Sequence, residues 1–170
     1  MIKLLICMTI LSACMTATAN SADSLSNMLS VTRIVSQSDG SEHSEPADTA
    51  KPGDVLEYTA LYANGGASAV RKLEVTLPIP VGTEYLAGQS RPAGAWASTD
   101  GKTFAPQPLH RRVVKEGAVV DESVPLAEYR FVRWPPADLA PGASLECRAR
   151  VKIANKVTES ATHDKNSVKN

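Results

Sequence analysis

The chain is poor in cysteine and aromatic residues, and it has no excess of charge of either sign. Its 170 residues include 3 Cys, 2 Trp, 4 Tyr and 2 Phe. So few cysteines exclude a disulfide-stapled scaffold. Lys+Arg and Asp+Glu both number 18, which argues against nucleic acid or acidic lipid as a partner held by bulk charge. No apolar run approaches the ~20 residues of a membrane-spanning helix. There is no phosphate loop, no dinucleotide fingerprint and no Gly-x-Ser-x-Gly elbow. His43, His110 and His163 stand at no metal-ligand spacing. No stretch of ten or more residues carries a capped helical stripe. What remains is a chain that is 43% hydrophobic, too apolar to be wholly disordered and of a length that suits one domain.

The first residues read as an address. Lys3 and the amino terminus are positive, Leu4 to Leu11 is apolar apart from Thr9, and Ala17-Thr18-Ala19 supplies small residues before a cut. Residues 1–19 are therefore expected to be a signal peptide cleaved after Ala19, with Asn20-Ser21-Ala22 as a weaker second site. A competing reading exists. Leu11-Ser12-Ala13-Cys14 resembles a lipoprotein lipobox, which would make Cys14 a lipid anchor and the chain an outer-membrane lipoprotein. Membrane contact is expected only in that case. Either way the protein is expected to be exported, to the periplasm or cell surface. After cleavage at Ala19 the one remaining thiol is Cys147.

The body reads as short strands and turns. Leu145, Cys147, Ala149, Val151 and Ile153 alternate with Glu146, Arg148, Arg150 and Lys152, a period of two that marks a half-buried antiparallel strand. Leu56, Tyr58, Ala60 and Tyr62 share one parity before the Asn64-Gly65-Gly66 turn. Val70 to Leu77 alternates likewise and stops at Pro78 and Pro80. Thr99-Asp100-Gly101 predicts a hairpin between 95–98 and 102–104, and Lys115-Glu116-Gly117 a second between 112–114 and 118–120. Leu29–Val35, Thr83–Leu86 and Tyr129–Trp134 read as further strands. Many short strands with regular turns predict an all-β antiparallel β-sandwich of about seven to nine strands. The domain is expected over 28–154, with a flexible leader at 20–27 and a polar, disordered tail at 155–170.

Several stretches together are similar to a known family. Lys51-Pro52-Gly53-Asp54 followed by Tyr58-Thr59 resembles the opening of the bacterial conserved repeat domain known as domain of unknown function eleven. The likeness continues through Tyr62-Ala63-Asn64-Gly65-Gly66, through Val75-Thr76-Leu77-Pro78 to Gly82, and through Ser98-Thr99-Asp100-Gly101-Lys102-Thr103-Phe104. It closes on Arg133-Trp134 and Leu139-Ala140-Pro141-Gly142. Leu77 departs from the Asp or Asn that many members carry there. The resemblance covers about residues 28–154. It implies an immunoglobulin-like sandwich on exported proteins of Gram-negative bacteria, and no reaction.

Reactive residues are weighed the same way. The parity of Cys147 puts it on the core face, where a thiol is inert. Arg111, Arg112, Lys115, Arg130, Arg133, Arg148, Arg150 and Lys152 are expected to keep strands soluble, offset by Glu122, Glu128 and Glu146, rather than to form a polyanion site. Asp39, Asp54, Asp100 and Asp121 read as turn residues. Trp96, Trp134 and Tyr85 are the residues for a sugar-stacking platform. Trp134 is expected in the core, and Trp96 is the candidate ligand contact although core or half-core is favoured for it. No catalytic, cofactor-binding or metal residue is assigned. The expectation is a non-catalytic structural or protein-interaction module of the cell envelope whose partner is another envelope protein. The alternative is a carbohydrate- or polyanion-binding module.

Overall fold

The computed structural model describes residues 25–155. The signal segment with Ala19 and Cys14, the first half of the expected leader, His163 and the tail from 156 onward lie outside the described residues. Among the described residues no helix is long and apolar enough to cross a membrane.

The fold is an all-β sandwich of antiparallel strands. A five-stranded sheet runs in the order β2 (Glu42–Pro46), β1 (Leu25–Ser36), β3 (Val55–Asn64), β12 (Ser144–Ile153), β6 (Thr83–Tyr85). A three-stranded sheet places β10 (Phe131–Arg133) between β5 (Thr76–Pro78) and β7 (Trp96–Ser98). Two small ribbons complete it, β4 (Val70–Leu73) with β11 (Ala137–Leu139), and β8 (His110–Lys115) with β9 (Ala118–Ser123). The core lies between the two larger sheets. Leu56, Ala60, Cys147, Ala149 and Val151 on one side meet Leu77, Ala97 and Val132 on the other.

The alternation in β12 holds as expected. Cys147, Ala149 and Val151 are buried, while Glu146, Arg148 and Lys152 are exposed. The second predicted hairpin also holds. Glu116 and Gly117 take φ of 52° and 80°, the two positive values that a two-residue type I′ turn requires, and Lys115 faces Ala118.

Elsewhere the structure corrects the sequence reading. β1 begins at Leu25, inside the stretch expected to be a loose leader, because Leu25 to Met28 pair with Leu61 to Asn64 of β3. Val70–Leu77 is not one strand. It breaks after Leu73, where Lys72 has φ 52° and its N–H donates to Asp138 Oδ1 at 3.0 Å. Residues 102–104 form no strand. β7 pairs with β10 instead, and Ala97 makes only an isolated bridge to Ala105. Splits of this kind raise the strand number to twelve short segments.

The Asp100-Gly101 turn itself is as read. Asp100 Oδ1 accepts from the Lys102 and Thr103 N–H groups at 2.8 and 2.9 Å and from Ser98 Oγ at 2.9 Å. Those donors hold its carboxyl down at about 2, the backbone N–H groups first. Gly101 has φ 74°, and a Cβ there would sit 2.8 Å from the Phe131 ring, so no other residue fits.

Candidate functional site

The few aromatic rings go mostly to the core. Tyr85 and Tyr129 are fully buried and stack with centroids 6.1 Å apart. The Tyr129 hydroxyl accepts from the Leu109 N–H at 2.7 Å. Trp134 is buried as expected, and its indole N–H donates to the Pro92 carbonyl at 2.8 Å. A platform of three rings is therefore not formed. Trp96 remains, and it is 42% exposed, which corrects the half-core expectation. On β7 Ala97 and Ser98 are buried and Trp96 at the start of the strand is exposed.

Trp96 lines an open hollow of about 530 Å³ with Gly94, Pro106, Gln107, Pro108 and Leu126. Gln107 Nε2 donates to the Ala95 carbonyl at 2.7 Å. That carbonyl can only accept, so the amide orientation is determined. Gln107 Oε1 is then a buried acceptor with no hydrogen-bond partner among the described residues. With its surface closed off, that oxygen is not offered to the hollow, and the half-exposed Trp96 ring is the group a polyhydroxyl ligand would stack on.

The basic residues do not merge into a patch. Arg111 pairs with Glu128 at 2.6 Å and Glu122 at 3.3 Å, and Lys115 with Glu122 at 2.6 Å. Arg133 stacks over the Phe104 ring at 3.8 Å. Arg150 reaches Glu57 at 2.8 Å and Glu42 at 2.9 Å, and Arg148 reaches Glu146 at 2.6 Å. Glu57 was missed in the sequence. It lies on the outer face of β3 yet is only 8% exposed, because Arg148 and Arg150 close over it from β12. The register that sets Glu57 opposite Arg150 is the signal that would have found it.

The other reactive groups are inert or local. Cys147 is fully buried, and burial pushes its thiol up to about 11, with Glu146 adding a smaller push. His43 lies on β2 and meets Glu45 at 2.9 Å. His110 meets Asp121 at 3.2 Å across β8 and β9, so Asp121 is a strand residue and not a turn residue. Asp39 and Asp54 cap turns as expected, accepting from the N–H groups of Ser41 and Lys51 at 2.9 Å each. Among the described residues no group of three His, Cys, Asp or Glu is arranged to hold a metal.

A second surface stands apart from the hollow. The N-terminal half of β1 carries Leu25, Met28, Leu29 and Val31, all exposed large apolar residues. β2 pairs only with Thr32 to Ser36, so among the described residues Leu25 to Val31 form an open edge of the five-stranded sheet. Met28 and Leu29 also border a groove of about 170 Å³ with Leu77 and Pro78.

No family model, curated protein or solved structure matches this chain.

Proposed function

We propose that the chain is an exported, non-catalytic interaction module of the bacterial cell envelope, built on an immunoglobulin-like sandwich similar to the conserved repeat domain of unknown function eleven. The observation that carries this reading is the open edge of β1. Four large apolar side chains stand exposed on one uncharged strand segment, and edges of that kind recruit a partner strand. The buried thiol and the mutually paired charges support a binding role over chemistry. In this reading the chain is cut after Ala19 and works in the periplasm or at the surface. The Leu29→Lys variant should lose its association with the envelope fraction while its melting midpoint stays within about 2 °C, because Leu29 is exposed. Undiminished association would overturn the reading. Intact mass of the exported protein separates a chain starting at Asn20 from one acylated at Cys14.

A second reading is favoured by Trp96, 42% exposed beside the open hollow, which suits a carbohydrate. Glycan-array binding that vanishes in Trp96→Ala would establish it, and a signal unchanged in that variant would remove it.

A further inference from the structure

We infer that the open edge of β1 is a self-complementary dimerisation strand, which joins two copies of the chain through antiparallel β1–β1 pairing centred on Met28. The hydrogen bonds of β3 fix which backbone groups of β1 face outward. Asn64 of β3 both donates to Ala143 and accepts from Gly142, so its backbone points toward β12. Antiparallel pairing alternates, so the even positions of β3 serve β12 and the odd ones serve β1. The β1 residues opposite those odd positions are Ser26, Met28, Ser30, Thr32 and Ile34. Leu25, Asn27, Leu29 and Val31 therefore direct their N–H and C=O groups to the open edge.

Self-pairing centred on Met28 matches these four residues with one another. Leu25 faces Val31 of the second copy, and Asn27 faces Leu29. Each such pair is outward-facing on both sides and exchanges two main-chain hydrogen bonds. Ser26 then lies opposite Ser30, and Met28 opposite its own copy. Centring on Leu29 would set Leu25 against Arg33, whose edge β2 already occupies. Centring on Asn27 would leave Val31 without a partner among the described residues. The register at Met28 alone uses the whole open edge and displaces nothing.

Other features point to a second copy as the occupant. The segment Leu25–Val31 contains no charged residue, no proline and no glycine, so no like charges meet across the two-fold axis and nothing guards the edge. β2 stops at Pro46, which has no N–H, and Ala47 and Ala50 then turn away to pack against the core. Leu25, Leu29 and Val31 lie on the same face as the core residues Leu56 and Ala60. A second β1 continues that face with its own Leu25, Leu29 and Val31. The contact is about 24 Å of strand, smaller than a standard interface of about 1,600 Å², so the dimer is reversible.

Sedimentation of the full chain in a Cys7→Ser, Cys14→Ser background should show monomer passing to dimer between about 1 and 500 µM, the range a small interface implies. Leu29→Lys and Asn27→Pro should each weaken the dimer at least about tenfold at an unchanged melting midpoint, since both positions face away from β3. Met28→Cys should form a disulfide dimer under mild oxidant, because a non-hydrogen-bonded cross-strand pair brings Cα atoms to about 4.5 Å. Asn27→Cys and Leu29→Cys should cross-link at least about tenfold more slowly, since only Met28 faces its own copy. A chain that stays monomeric throughout, or cross-links fastest at 27 or 29, overturns the inference. The inference deepens the interaction-module reading by naming a partner for its edge. A monomer that still needs Leu29 for envelope association removes the dimer and leaves that reading standing.

Discussion

β1 and β12 flank the same central strand and each carries apolar residues on its core-side face, yet they meet opposite fates. β12 lies between β3 and β6 under the second sheet, and Val151 on it is 2% exposed. β1 pairs with β3 over ten residues against nine for β12, yet Leu29 and Met28 on it are 59% and 60% exposed. Side-chain apolarity does not separate them. What differs is how far cover extends: β12 is covered by the core, whereas β2 reaches only Thr32 to Ser36 of β1 and leaves Leu25 to Val31 without a second neighbour among the described residues. β1 thus keeps a surface free for another chain, while β12 is committed to the domain's own stability.

The comparison can be broken at its hinge first. Asn64 ends β3 opposite Leu25, and its buried amide donates to the Ser68 and Leu139 carbonyls at 2.9 Å each and accepts from the Gly66 N–H at 3.0 Å. Asn64→Ala leaves all three partners wanting and should destabilise by about 3 kcal/mol, read by urea unfolding. A loss under about 1 kcal/mol would mean that these three hydrogen bonds do not hold the loop after β3 against β11.

The same truncation on each strand sharpens the contrast. Val151→Ala should lose about 2 kcal/mol by opening a cavity in the core. Val31→Ala, at a half-covered edge position, should lose about 0.5 kcal/mol when measured on the monomer. Equal losses would show that β1 is covered in solution even at low concentration.

The smallest effect is confined to acid. The folded carboxyl of Asp100 is held below its ordinary value of 3.8, at about 2. Its contribution is therefore present above pH 4 and fades as the pH falls toward 2. Asp100→Asn should flatten the fall in thermal midpoint between about pH 4 and 2 without changing the β1 or β12 edges. An unaltered acid profile would contradict the turn's hydrogen bonds.

Much of the fold was legible where the pattern is local. The alternation from Leu145 to Ile153 gave both the strand and its buried face, and Glu116-Gly117 marked a hairpin because its two positive φ angles suit few residues. The reading failed where partners are remote. Thr103-Phe104 resembled a returning strand, but β7 found a better edge in β10 and left Phe104 to lie under Arg133. Val70–Leu77 kept its alternation on paper, yet the Asp138 carboxylate drew the backbone of Lys72 into a break. Of the candidate site, Trp96 was named as a ligand contact with core or half-core favoured for it, and it is 42% exposed. Glu57 and the free Gln107 acceptor were invisible, since neither has a neighbour in sequence that explains it.

By itself the sequence determined an all-β sandwich with its turns and the inner face of its final strand. Alternation and turn propensity depend only on neighbouring residues, so they survive without knowledge of the whole. The tertiary structure decided which apolar residues are covered, which charges are paired and which edge stays open. Those outcomes depend on whether a second strand or layer arrives from far along the chain. Leu29 and Val151 are both apolar strand residues, and only the arrangement of sheets tells one from the other.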